Sequence, residues 1–211
     1  MTSQSELPLT ILASTRFIPL ITIERVEDAV PLAQALVDGG LPVIEVALRT
    51  PAAPQAIREI LKAVPDAVPG AGNVLTPHDL ALAAHAGARF AISPAATPAL
   101  LEAASRASIP FIPGIATPTE LMAVLSRGFH VVKFFPAMAF GGPEAVRALH
   151  APFPHVRFLP TGGTGEAELD EWLSLPNVAA VGGSWLAPLE EVRAGNWDSI
   201  RARASKVSQR G

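Results

Sequence analysis

Hydrophobic and polar positions along the chain alternate between two periodicities. Short apolar runs rich in Val, Ile and Phe are followed by alanine- and leucine-rich stretches whose apolar positions recur with helical spacing. The strand-like runs cover 17–23, 42–49, 67–74, 89–94, 110–115, 131–136, 157–163 and 178–185, and they start 21 to 26 residues apart. The helix-like stretches cover 26–38, 51–64, 77–86, 98–107, 118–127, 143–149 and 166–174, with a less regular one over 189–206. A leading helix over 3–14 is expected to close one end of the fold.

Proline and threonine mark the boundaries. Pro51, Pro77, Pro98, Pro118 and Pro143 fall where first helical turns are expected, and a missing N–H costs little there. Thr50, Thr76, Thr97 and Thr117 directly precede four of them and are suited to N-capping. Gly39, Gly87 and Gly128 stand where helices should end.

Eight strand–helix units imply parallel strands with helices outside. The expected architecture is α/β: a single (β/α)8 TIM barrel with an extra N-terminal helix, one domain over 1–211. An open doubly wound sheet is the alternative. Eight similar units with no change of direction favour closure.

Composition narrows the setting. Hydrophobic residues make up 49% of the chain and charged ones only 17%, so some apolar surface is expected to be covered by other subunits. A net charge of −3 argues against a nucleic-acid or acidic-membrane partner. Without cysteine there are no disulfides and no thiolate metal sites. No apolar run approaches the roughly 20 residues of a membrane span, and 1–7 lacks the features of a signal peptide. The expectation is a cytoplasmic protein.

In such barrels the working face is the C-terminal end of the strands. Only three lysines occur, Lys62, Lys133 and Lys206, and only Lys133 lies inside an apolar strand-like run. Burial disfavours an ammonium, and a neutral amine is what imine formation with a ketone requires. A structural ion pair with Glu45 is the competing reading. Glu45 itself can either neutralise Lys133 or shuttle protons beside an imine. A period of two puts Glu45, Ala47 and Arg49 on one face, where the Arg49 guanidinium can grip a carboxylate or form a rim ion pair. Gly162-Gly163 and Gly182-Gly183 end the last two runs, where backbone N–H groups and a following helix start would hold a phosphate. Thr161 and Ser184 add hydroxyls there. If not a cradle, these glycines make tight turns.

Metal catalysis needs several imidazoles or carboxylates converging at one end. None of the histidines His78, His85, His130, His150 and His155 falls at the C-terminal end of a run, so no metal is expected; imine chemistry on a lysine calls for no other cofactor.

Seven segments, in order, resemble one family: Val43-Ile44-Glu45-Val46-Ala47-Leu48-Arg49-Thr50, Gly70-Ala71-Gly72-Asn73-Val74-Leu75, Phe90-Ala91-Ile92-Ser93-Pro94, Ile112-Pro113-Gly114-Ile115, Lys133-Phe134-Phe135-Pro136-Ala137, Phe158-Leu159-Pro160-Thr161-Gly162-Gly163 and Gly182-Gly183-Ser184-Trp185. The family is the 2-keto-3-deoxy-6-phosphogluconate (KDPG) aldolases, also called 4-hydroxy-2-oxoglutarate (KHG) aldolases. The resemblance implies Lys133 as the Schiff-base lysine, Glu45 as general acid and base, and Arg49 as a contact for the pyruvate carboxylate. It implies Pro94 and Phe135 as the lining of the pyruvyl pocket. Gly162, Gly163 and Ser184 would lie at the phosphate end, with Thr161 beside the sugar chain. It also implies a metal-independent homotrimer. Two departures stand out. Asn73 replaces a usual threonine that contacts the carboxylate, and Met138 replaces a usual glutamate. A galactonate-series aldolase, a phosphosugar isomerase or epimerase, and a non-catalytic phosphate-binding barrel are the alternatives.

Overall fold

The computed structural model describes residues 6–13 and 15–210. Among these, the chain runs α1 (Glu6–Ala13), β1 (Phe17–Ile21), α2 (Ala29–Asp38), β2 (Val43–Ala47), α3 (Ala53–Ala63), β3 (Val68–Gly72), α4 (Pro77–Ala86), β4 (Ala91–Ile92), α5 (Pro98–Ser105), β5 (Phe111–Ile112), β6 (Gly114–Ile115), α6 (Pro118–Leu125), β7 (Val131–Phe134), α7 (Gly142–His150), β8 (Arg157–Pro160), α8 (Leu169–Ser174), β9 (Val181–Gly183), α9 (Leu189–Ala194) and α10 (Trp197–Ser208). The leading helix is present over Glu6–Ala13; the rest of the 3–14 expectation, at 3–5 and 14, lies outside the described residues.

Every pairing between strands is parallel. One sheet has the order β5-β4-β3-β2-β1-β9 and a second the order β6-β7-β8. Pro113, which has no N–H to give a ladder, separates β5 from β6. Isolated parallel bridges join Phe158 to Val178 and Thr161 to Gly182. The result is a curled parallel sheet covered by helices. Among the described residues no helix is long and apolar enough to cross a membrane.

The period of two along each strand sorts the core into two clusters. Ile44, Val46, Val132, Phe134 and Phe158 point toward the helices and pack with Leu32, Ile57, Leu121 and Trp172. Their neighbours Val43, Val131 and Leu159 point the other way. With Ile18, Phe90, Ile92, Ile112, Ala180 and Leu12 of α1 they form a separate apolar floor. Gly70 makes this floor possible, because a Cβ there would sit within the Phe90 ring.

Three expected caps are present: the hydroxyls of Thr76, Thr97 and Thr117 accept from the N–H groups of Asp79, Leu100 and Glu120, and a proline follows each. The fourth is not. The Thr50 hydroxyl donates to the Ile23 carbonyl, α3 starts at Ala53, and Pro54 takes the early-turn position. The strands are shorter than the apolar runs. β2 stops at Ala47, β7 at Phe134 and β8 at Pro160, and β4 has two residues. The stretch expected as a helix over 166–174 is helical only from Leu169. The one over 189–206 splits into α9 and α10 at Gly195, whose φ of 68° ends α9 in a left-handed cap.

Candidate active site

On β2, β7 and the end of β8, the residues two positions beyond the floor are polar: Glu45 follows Val43, Lys133 follows Val131 and Thr161 follows Leu159. All three are buried, Glu45 completely and Lys133 to 3% exposure. Lys133 Nζ donates to Glu45 Oε1 at 3.1 Å. Glu45 Oε2 is buried and has no hydrogen-bond partner among the described residues. A buried acceptor left unsatisfied costs roughly 1–3 kcal/mol. One oxygen of this carboxylate therefore keeps acceptor capacity that no described residue uses. The amine also lies 5.8 Å from the centroid of the Phe135 ring.

The glycines beside these side chains supply room. Gly72 borders Glu45, and the Thr161 hydroxyl fills the space a side chain at Gly182 would need. Gly114, in register with Lys133, has the Pro94 main chain against it. Pro94 is half-buried on the far side of that contact. Sequence reasoning placed Gly72 near the end of its run without giving it a task. A glycine inside a strand signals close approach, and that signal was available.

Arg49 departs from expectation. The alternation on β2 ends at Ala47, and Arg49 follows in a turn in which its N–H donates to the Ala47 carbonyl. Its side chain is exposed and makes no ion pair or hydrogen bond with a described residue. Arg49 thus lies beyond the end of the strand that carries Glu45. Asn73 follows β3 with φ 56°, in the left-handed region, and is half-buried.

At the far end, the loops after β7 and β8 are tied together. Ala137 N donates to Thr161 O at 2.8 Å, and Met138 N to Gly162 O at 3.1 Å. Gly162 and Gly163 have φ of 97° and 77°, a turn that L-residues rarely adopt. Gly182 and Gly183 instead belong to β9 itself, with exposed Ser184 just beyond. Neither pair opens directly into a helix, since α8 begins at Leu169 and α9 at Leu189. Any cradle here is made of loop N–H groups. Among the hydrogen bonds between described residues, none is donated by the N–H of Gly163 or Ser184. Among the described residues, no three His, Cys, Asp or Glu side chains gather as a metal-holding group.

This arrangement, an amine and a carboxylate buried together beneath glycine-lined loops, suits covalent chemistry on a ketone with a distal anion. The family model described as "Aldolase: KDPG and KHG aldolase" matches residues 9–203. The chain is 49% identical over 197 residues to the KHG/KDPG aldolase of Escherichia coli K12, covering 93% of this chain and 92% of that one. Its structure is similar to that of the KDPG aldolase of Legionella pneumophila with pyruvate captured as a covalent carbinolamine intermediate. There the TM-score is 0.93 and the identity 46%, over 95% of this chain and 98% of the other. It is also similar to the KDPG aldolase of Zymomonas mobilis ZM4 with 3-phosphoglycerate, with a TM-score of 0.88 and 39% identity over 94% and 93% of the two chains. The chain belongs to the KDPG and KHG aldolase family.

Proposed function

We propose that this protein is a class I aldolase that cleaves 2-keto-3-deoxy-6-phosphogluconate to pyruvate and glyceraldehyde 3-phosphate through an imine on Lys133. The observation that carries this reading is the buried Lys133–Glu45 pair at 3.1 Å, whose second carboxylate oxygen lacks the partner that a purely structural ion pair would give it.

The free amine of Lys133 attacks the C2 ketone, and Glu45 moves protons while the carbinolamine loses water. The protonated imine is then an electron sink. Glu45, directly or through water, takes the C4 hydroxyl proton. The C3–C4 bond breaks, its electrons pass into the imine to leave an enamine, and the aldehyde departs. Protonation at C3 and hydrolysis release pyruvate and the amine. Arg49 and Asn73 hold the substrate carboxylate, while Pro94 and Phe135 line the pyruvyl pocket. Thr161 lies beside the sugar chain, and Gly162, Gly163, Gly182, Gly183 and Ser184 hold the phosphate. Binding this remote group orients the bond to be broken.

The same reading includes a single domain closed as an eight-stranded (β/α)8 barrel. It is supported by all-parallel pairing, by the interruption at one proline between β5 and β6, and by the bridge between Thr161 and Gly182. A cytoplasmic homotrimer accords with the low charged fraction and with the exposed Leu75 and Met122. Cleavage of 4-hydroxy-2-oxoglutarate to pyruvate and glyoxylate is a second activity, favoured by the name of the E. coli relative.

Two measurements test the proposal. Borohydride with pyruvate should fix a reduced adduct on Lys133, and active enzyme with an unmodified Lys133 would defeat the mechanism. A cleavage assay coupled to pyruvate detection should rank the gluconate-series acid above its galactonate-series C4 epimer. The reverse order would assign the alternative substrate, and binding without cleavage would assign a non-catalytic phosphate-binding barrel.

A further inference from the structure

We propose that Gly72 is a positioning residue for the reaction: its missing side chain leaves the space in which the Glu45 carboxylate meets Lys133. This role rests on the aldolase reading above.

Gly72 ends β3 and stands in register with Ala47 of β2, two residues beyond the pair Glu45–Gly70 and on the same face. Its φ is not among those in the left-handed region, so an L-residue is compatible with the backbone. What excludes a side chain is space. A Cβ at this position would lie 2.5 Å from Glu45 Cγ and 2.7 Å from Cδ, and closer still to Oε1. Oε1 is the atom that accepts from Lys133 Nζ. The obstructing atoms, from Cγ outward, belong to the Glu45 side chain and not to main chain. Alanine can therefore be accommodated by turning that side chain about its Cα–Cβ bond, which carries the carboxylate away. The fold then survives, but the Lys133–Glu45 contact does not. Gly114 is the contrasting case, because a Cβ there would meet the main chain of Pro94 and force the backbone to move.

The test compares Gly72→Ala in the parent and in a Glu45→Ala background. Alanine lacks Cγ, Cδ and Oε1, the atoms that the added methyl would meet. In the parent, Gly72→Ala should lower kcat by about 100-fold or more, in line with the loss of general acid–base help. KM should stay within about threefold, and the circular dichroism spectrum should be unchanged. In the Glu45→Ala background the same substitution should change the residual kcat by less than about threefold. Equal losses in both backgrounds, or parental kcat in Gly72→Ala, would overturn the proposal. If Gly72→Ala does not fold, Glu45→Ala/Gly72→Ala decides. A folded double variant supports a clash with the carboxylate, and an unfolded one overturns it. Borohydride trapping of pyruvate on the parent separates the two levels. No adduct there sinks the aldolase reading, whereas an adduct together with equal losses sinks only the role of Gly72.

Discussion

Lys133 and Glu45 are 88 residues apart in the chain, yet Nζ and Oε1 lie 3.1 Å apart with both side chains buried. Removing one partner leaves the other as an uncompensated buried charge, at a cost of about 3–5 kcal/mol. Lys133→Met should therefore fold with reduced stability and no cleavage. Lys133→Met/Glu45→Gln should recover part of the lost stability and still be inactive. Urea denaturation of the two single variants and the double variant measures the coupling. A coupling near zero would mean that the pair does not form.

Glu45→Gln alone keeps the side chain's size but cannot take a proton. Its kcat should fall by roughly 10²- to 10⁴-fold, while the Lys133 adduct with pyruvate and borohydride still accumulates, more slowly. Single-turnover cleavage followed by trapping separates the two effects.

Asn73 has φ 56°. Asparagine is enriched in this left-handed conformation, and β-branched residues are rare in it. Asn73→Thr should cost roughly 1–3 kcal/mol of stability, whereas Asn73→Gly relieves the backbone but removes the amide. The expected outcome is a higher Tm for the glycine variant than for the threonine variant, with KM raised in Asn73→Gly. Thermal unfolding and steady-state kinetics check both.

Arg49 is exposed and bound to no described residue, so its guanidinium is free to meet an anion at the rim. Arg49→Ala should raise KM about tenfold or more, consistent with the loss of a charge-assisted hydrogen bond. Arg49→Lys should recover only part of that, because an ammonium cannot make the forked contact.

Acid should destabilise the fold in a definite window. Glu120 is held below the ordinary glutamate value of 4.5 mainly by the N–H of Ala116, within the capping box of α6. Glu24, Glu166 and Glu191 are lowered chiefly by hydrogen bonds from Arg193, Lys206 and Arg203. A carboxylate with a depressed folded-state value contributes its stabilisation fully above 4.5, and that stabilisation is lost as pH falls through the lower value. Tm should be flat from neutral pH to about 5 and decline below about 4.5. Replacing these glutamates with glutamine should flatten the decline, and an unchanged profile would show that other groups govern it.

The alternation of strand and helix is legible in the sequence because two periodicities and four Thr-Pro pairs mark it. One of those pairs misleads. Pro51 and Pro54 both suit a first turn, and only the bond from Thr50 to Ile23 in the folded chain decides for the later start. Strand ends are misread for a related reason. Apolar residues continue past Ala47 and Phe134, but ladder pairing stops there, and Arg49 falls into a turn. Lys133 and Glu45 are legible as charges that an apolar strand cannot bury alone. Their mutual distance depends on how strands distant in sequence curl toward each other, which no local pattern encodes. The left-handed backbone at Asn73 and the space beside Gly72 are likewise properties of packing.

The apolar floor that Leu12 helps to build lies on one side of Lys133, with Val131 and Leu159 in it, and the loops after β7 and β8 lie on the other. On the proposed chemistry, the parent acid arrives and both fragments depart on the loop side. The three-carbon piece still tethered to the amine sits innermost, so the aldehyde has to clear the exit first. Turnover is thus ordered by architecture: pyruvate added to the resting enzyme should compete with the incoming acid, whereas the phosphorylated aldehyde recombines only once pyruvate is in place.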